Sequence, residues 1–151
     1  MAVKDKIELK SLTRDELLAR CEPAYRADQI LEWVYAKQAG SFDEMSNLSA
    51  AFRQKLAADF DLNAVHALKT RNATDTTEKF LFQLRDHSLI ETVLIPATPG
   101  LTTQSDRHTV CVSTQVGCAY ACKFCASGLA GIKPSLTAAE IVDQVLQAQK
   151  Q

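Results

Sequence analysis

Along the first sixty residues apolar side chains recur at three- and four-residue steps, and beyond Asp61 they recur at every second position. The first period predicts helices and the second predicts strands. Thr13-Arg14-Asp15-Glu16 is a capping box: the threonine hydroxyl can accept an amide hydrogen bond, and the glutamate can reach back to the threonine N–H. Leu17 and Leu18 follow it. Pro23 suits the first turn of a second helix, with Ala27, Ile30, Leu31, Val34 and Tyr35 on one apolar face. Gly40 is placed to end that helix, and Trp33 reads as a core residue. Ser49 caps a third helix whose buried face is Phe52, Leu56 and Phe60. These elements predict a small helical bundle.

After Asp61, residues 65–69, 79–84 and 88–95 read as strands. In the second, Phe80, Phe82 and Leu84 alternate with Leu81, Gln83 and Arg85. Pro96 stops the third, and Asp86-His87-Ser88 makes the hairpin turn. Residues 98–107 form a polar loop with Pro99 and Gly100, and 108–114 form a β-branched strand running into a cysteine-rich stretch. Thr137-Ala138-Ala139-Glu140 is a second capping box, opening a helix with Ile141, Val142, Val145 and Leu146 facing inward. The cysteine stretch therefore lies between a strand and a helix, as after the first strand of a parallel α/β barrel, where sites gather at the strand C-termini. The expected architecture is an α+β N-terminal region, a helical bundle plus a short hairpin, followed by the start of an α/β partial barrel. Its expected divisions are 1–62, 63–106 and 107–151. A lone parallel strand leaves an open edge, so the chain is expected to be the N-terminal piece of a longer protein.

Composition narrows this modestly. With 46% hydrophobic and 23% charged residues the chain is globular. A net charge of −1 announces no polyanionic partner. No signal peptide or membrane-length apolar run is visible, so a cytoplasmic, reducing location is expected.

The chemistry concentrates in Gly117-Cys118-Ala119-Tyr120-Ala121-Cys122-Lys123-Phe124-Cys125, three cysteines within eight residues. The spacing C-x3-C-x2-C offers three thiolates to one small site. A four-iron cubane held by three thiolates keeps one iron free for a substrate. A structural zinc site needs a fourth ligand, for which His108 and Cys111 are the nearby candidates. A thioredoxin-type pair uses only Cys122 and Cys125 and leaves Cys118 unexplained. The ferredoxin spacing differs, and five cysteines in 151 residues fit a secreted disulfide framework poorly. The triad, with the aromatic Phe124 before its third cysteine, resembles the radical S-adenosylmethionine (SAM) enzymes, in which the open iron chelates SAM. In them such an aromatic lies near the cofactor adenine; otherwise Phe124 reads as a core anchor of the loop.

Further motifs sharpen the resemblance. Glu22-Pro23-Ala24-Tyr25-Arg26-Ala27, Trp33-Val34-Tyr35 and Phe42-Asp43-Glu44-Met45-Ser46-Asn47-Leu48-Ser49 resemble the RlmN-type adenine-C2 methyltransferases of 23S rRNA and tRNA. So do Ile90-Glu91-Thr92-Val93-Leu94-Ile95-Pro96 and Cys111-Val112-Ser113-Thr114-Gln115-Val116-Gly117-Cys118. The resemblance implies that Cys118, Cys122 and Cys125 hold a [4Fe-4S] cluster that binds and cleaves SAM. The radical so formed takes hydrogen from a methyl group carried on another cysteine, and the carbon radical adds to C2 of adenine. Cys111 stands at the place of the resolving cysteine, which releases product and leaves a disulfide. Glu91 stands at the place of the proton acceptor. Read without the family, Cys111 is a small buried strand residue, and Glu91 is either outward on a half-exposed strand or functional. Cys21 reads as structural, and His66, His87 and His108 receive no role.

The resemblance further implies RNA docking by the helical region, a reducing electron donor such as flavodoxin, no membrane association, and a monomer at full length. Two features depart from the family pattern. Lys133-Pro134-Ser135 replaces a more basic run, which weakens a phosphate-gripping role for that loop, and His87 stands where glycine is usual. No methyl-carrying cysteine is in view, so the chain alone is expected to be inactive. Two alternatives stay in play: a C8-adenine methylating relative conferring antibiotic resistance, and a non-catalytic RNA- or protein-docking module with a structural metal site.

Overall fold

The computed structural model describes residues 6–72, 77–96, 108–129 and 131–150. The polar loop at 98–107 lies outside the described residues. The chain divides into two compact units, Met1–Ala64 and Val65–Gln151.

In the first unit one capping box and one serine N-cap start helices locally. Strand β1 (Ile7–Glu8) pairs in parallel with β2 (Phe60–Asp61). Helix α1 (Arg14–Leu18) begins at Thr13, whose hydroxyl accepts from the Glu16 N–H while the Glu16 carboxylate accepts from the Thr13 N–H. Helix α2 (Tyr25–Leu31) starts two residues after Pro23 and continues into one π-helical turn, Glu32–Ala36. A bidentate ion pair from Arg14 to Asp28 ties α1 to α2. Helix α3 (Ala50–Asp59) is capped by the Ser49 hydroxyl. Leu17, Ala27, Ile30, Val34, Met45 and Leu56 are fully buried. Three expectations change. Gln38, not Gly40, takes the left-handed conformation after the helix (φ 51), while the Gly40 N–H donates to the Glu44 carboxylate. Tyr35 is exposed. Trp33 is half-buried, because its indole N–H reaches out to the Asn47 side chain and Lys37 lies 4.1 Å over its ring. Cys21 is buried, and burial pushes its thiol pKa up, as suits a structural residue.

The second unit is built on an antiparallel sheet in the order β3 (His66–Asn72), β4 (Glu78–Gln83), β5 (Leu89–Pro96), β6 (His108–Cys111). The alternation read on β4 holds: Phe80 and Phe82 are buried and stack 5.8 Å apart, while Lys79, Leu81 and Gln83 point the other way. With Ile90, Leu84, Val65, Leu136 and Ala148 they form the core. The strand expected over 108–114 ends at Cys111. Its first part, β6, pairs antiparallel with β5 and does not stand alone as a parallel strand. Residues 112–114 are not strand; just beyond them β7 (Gln115–Gly117) pairs antiparallel with β8 (Ile132–Ser135), in a stretch whose sequence predicts a loop. The Leu136 N–H bonds to the Thr114 carbonyl and continues that ladder.

Helix α4 (Ala138–Ala148) starts from its capping box at Thr137. Its inward face is only in part the apolar set expected: Leu146 is buried and Ile141 packs against the core. Ile141, Val142 and Val145 are half-buried, while Asp143 and Gln144 are completely buried. Asp143 accepts from the Val65 N–H at 3.1 Å. Gln144 uses its full amide capacity. Its Oε1 accepts from the Thr92 hydroxyl (2.7 Å) and the Ser113 N–H (2.9 Å), and its Nε2 donates to the Ser113 and Glu140 carbonyls (2.9 and 3.0 Å). The hairpin turn holds His87 at φ 63, where glycine is usual. Hydrogen bonds from Ser88, through its hydroxyl and its N–H, together with Lys133, hold the Asp86 carboxyl down to about 2. That stabilisation is present above the ordinary carboxylate pKa and fades as pH falls toward 2. Lys133 is thereby tied to the turn.

Among the described residues no helix is long and apolar enough to cross a membrane.

Two substitutions test this packing. Gln144→Leu keeps the volume but strands the Thr92 hydroxyl and both backbone groups of Ser113, at about 1–3 kcal/mol each. Urea unfolding is expected to show a loss of at least about 3 kcal/mol, a large share of a typical domain's stability. His87→Gly relieves the left-handed strain and is expected to raise stability by up to about 1 kcal/mol, read in the same titration.

Candidate active site around the cysteine loop

The loop between β7 and β8 carries all three clustered cysteines and is pinned at two levels. At its base the Cys118 N–H bonds to the Gly131 carbonyl at 3.2 Å. Gly117 there has φ 77, and a Cβ on it would lie 1.9 Å from the Gly131 oxygen, so only glycine fits. Higher up, Gly128 passes so close to Ala121 that a Cβ would sit 2.7 Å from its Cα. Between these closures the Cys125 N–H bonds to the Cys122 carbonyl, making a tight turn between the second and third cysteines.

The three cysteines differ in exposure. Cys122 is exposed, Cys118 and Cys125 are half-buried, and all five cysteines of the chain are free. Among the described residues no three Cys, His, Asp or Glu side chains are arranged around one point as metal ligands. The donor set nevertheless suits an iron–sulfur cluster better than a harder ion: three soft thiolates share one short loop. Metal sites are seldom preformed, since the metal–thiolate bonds themselves draw the ligands together. The Cys125 thiol has its pKa lowered from the ordinary value. The Ser127 N–H and hydroxyl, and the Gly128 N–H, point at its sulfur and lower its pKa. Ser127 was not picked out from sequence; its only signal is a hydroxyl two residues after the third cysteine. Phe124 is 94% exposed, which rules out a role as core anchor, and Tyr120 and Leu129 are exposed with it.

Glu91 and Cys111 lie on the outward face of the sheet. Thr92 points inward to Gln144, so its neighbour Glu91 points out. Val93 is the register partner of Cys111, which puts Cys111 on the same face as Glu91, as its diagonal neighbour at about 7–8 Å. Cys111 is exposed, so its reading as a buried strand residue is corrected. The Ser113 hydroxyl donates to the Glu91 carbonyl at 2.7 Å. A cleft of about 430 Å³ joins Glu91 and Ser113 to Gly117, Ala126 and Ser127 of the cysteine loop. The structure thus brings Glu91, Cys111 and the base of the loop to one side of the second unit, and leaves the three thiols unconverged. His108 sits at the far end of β6, opposite Pro96.

This fold is shared with a class of known enzymes. A crystal structure of a radical SAM methyltransferase from Sphaerobacter thermophilus superposes with a TM-score of 0.84 at 40% identity, covering 95% of this chain and 42% of that one. Residues 7–62 match the family described as the ribosomal RNA large subunit methyltransferase N-terminal domain. The chain is 52% identical over 140 residues to a probable dual-specificity RNA methyltransferase RlmN 3 of Opitutus terrae. It is 44% identical over 137 residues to a probable RlmN of Bacillus anthracis. These alignments take in 92% and 91% of the chain but only 37% and 36% of the relatives' lengths. The resemblance read from the motifs holds: the chain matches the N-terminal portion of RlmN-type radical SAM methyltransferases.

The hydrogen bonds at Cys125 have a direct consequence. Its alkylation by iodoacetamide, mapped by mass spectrometry across a pH series, is expected to have a midpoint below that of an ordinary thiol. Ser127→Ala removes one of the donors and moves the midpoint upward. A midpoint indifferent to Ser127 would contradict the assignment.

Proposed function

We propose that the chain supplies the cluster loop and two reacting side chains of an RNA adenine-C2 methyltransferase acting on 23S rRNA and tRNA. The observation that carries this reading is the cleft linking the outward Glu91 to the base of the cysteine loop, with exposed Cys111 diagonal to Glu91. Cys118, Cys122 and Cys125 would hold a [4Fe-4S] cluster with SAM as its ligand, and Phe124 is free to stack on an adenine ring. When bound, these groups supply carbon-radical chemistry, which suits a C–H position too electron-poor for polar methyl transfer.

The chain's own residues have the remaining tasks. The Glu91 carboxylate, exposed beside Lys79, would take the proton from the adenine carbon. The Cys111 thiolate would attack the sulfur that links the protein to the added carbon. The S–S bond forms as the S–CH2 bond breaks, the electron pair leaves on the product carbon, a proton completes the methyl group, and a disulfide with a cysteine elsewhere in the protein remains. Thiol–disulfide attack needs the thiolate and access to it, and an exposed strand position gives access. Gly117 and Gly128 fix the loop path. The helical unit is the RNA-docking candidate, and a flavodoxin-like protein the electron donor. The whole protein's activity, its monomeric state and its cytoplasmic location belong to this proposal, as does the inactivity of residues 1–151 alone. C8 methylation by the same residues is the nearest alternative chemistry.

The test is methylation of a 23S rRNA fragment by the full-length gene product, with the modified carbon mapped. The parent is expected to modify C2. Glu91→Gln is expected to keep its iron and lose at least about a hundredfold in methyl transfer, the usual scale for a missing general base. Modification at C8, or full turnover by Glu91→Gln, would overturn the respective assignment.

A further inference from the structure

The outward face of the sheet carries a second feature. Register sets two rows across it: Lys69, Leu81 and Glu91, then Arg71, Lys79, Val93 and Cys111. Directly paired residues project from the same face, so three cations on β3 and β4 stand beside the carboxylate and the thiol. Lys69, Arg71, Lys79, Leu81 and Glu91 line one cleft of about 320 Å³.

The charges in this cleft are not balanced. Among the described residues that line it Glu91 is the one acid, and its pair with Lys79, at 3.4 Å with both side chains at least half exposed, is weak. Among the described residues no acid pairs with Lys69 or Arg71, and both are exposed. Arg71 is the direct register partner of Lys79, an arrangement that costs stability unless an anion sits between them. The chain as a whole has a net charge of −1, so this concentration is not a by-product of a basic composition.

We infer that this face is a phosphate-binding track for RNA, with Arg71, Lys79 and Lys69 gripping the backbone while a base reaches Glu91 and Cys111. The choice of RNA as occupant rests on the function proposed above. Strands lie about 4.8 Å apart, which puts Arg71 about 14 Å from Cys111, within the span of a few linked nucleotides. An arginine fork and two ammonium groups match phosphate oxygens. A protein partner is less suited, because protein interfaces centre on an apolar, aromatic-rich patch, and the two rows offer only Leu81 and Val93.

The test is the binding of a fluorescent adenine-containing RNA stem-loop to the chain, followed by anisotropy at several salt concentrations. The variant Lys69→Gln/Arg71→Gln/Lys79→Gln is expected to bind at least about tenfold more weakly. Its plot of log affinity against log salt should be shallower by about 2–3, roughly one unit per lost phosphate contact. Lys69→Arg/Lys79→Arg keeps the charges and is expected to bind as the parent does. Circular dichroism and iron uptake are read on the same preparations. Unchanged affinity and slope in the glutamine variant, or no RNA binding by the parent, overturns the track; normal iron uptake beside that result leaves the cysteine-loop reading standing. Iron-free protein whose RNA affinity still depends on the three cations supports the track and removes the cluster reading. A glutamine variant that binds RNA normally but loses affinity for an acidic flavoprotein reassigns the face and overturns the track.

Discussion

The outward face depends on which way β5 points, and the Gln144 amide sets that direction. It bonds inward-facing Thr92 and both backbone groups of Ser113, while Ser113 bonds the Glu91 carbonyl. A one-residue slip of β5 would turn every side chain on it to the other face. Four hydrogen bonds at one fully buried amide resist that slip more firmly than apolar contacts alone, because stranding the amide and the buried Thr92 hydroxyl would carry their desolvation cost. The same amide joins the helix that follows the cysteine loop to the strand break that precedes it. Both ends of the site are thereby referred to one buried group.

With that register held, the two faces of the sheet divide the work. Phe80, Phe82, Ile90 and Leu94 turn toward the core, some fully buried and others partly so. Glu91, Cys111 and the cations of β3 and β4 look outward. The cysteine loop is held by backbone closures at Gly117 and Gly128 rather than by side-chain packing, which leaves its thiols accessible. Loops carried on rigid strands are the usual place for ligand-binding side chains.

What was legible in the sequence was local or periodic. Both capping boxes, Thr13 with Glu16 and Thr137 with Glu140, form as read, because their partners lie three residues apart. The Phe80–Phe82 alternation gave the correct inward face. What was missed depends on distant partners. Asp143 bonds Val65 across 78 positions and Gln144 bonds Ser113 across 31, so no hydropathy window could mark two polar residues as the most buried of their helix. The strand at Ile132–Ser135 was hidden by Pro134 and by lack of alternation. Apart from the family resemblance, the sequence suggests a buried Cys111, because a small sulfur residue on a strand gives no sign of which face it takes. The triad itself was plain from spacing, whereas Ser127 and the cationic rows needed coordinates: the period-two signal of Lys69 and Arg71 was present, but only the pairing register sets it beside Lys79.

The central claim is that the loop of Cys118, Cys122 and Cys125 holds a four-iron cluster through three thiolates. The most direct measurement is iron and acid-labile sulfide per chain after anaerobic reconstitution, with the absorption spectrum. About four irons per chain, a band near 400 nm, and the loss of both in any one of Cys118→Ala, Cys122→Ala and Cys125→Ala is the result predicted. One zinc per chain with no iron retained, or iron that survives all three substitutions, would contradict it.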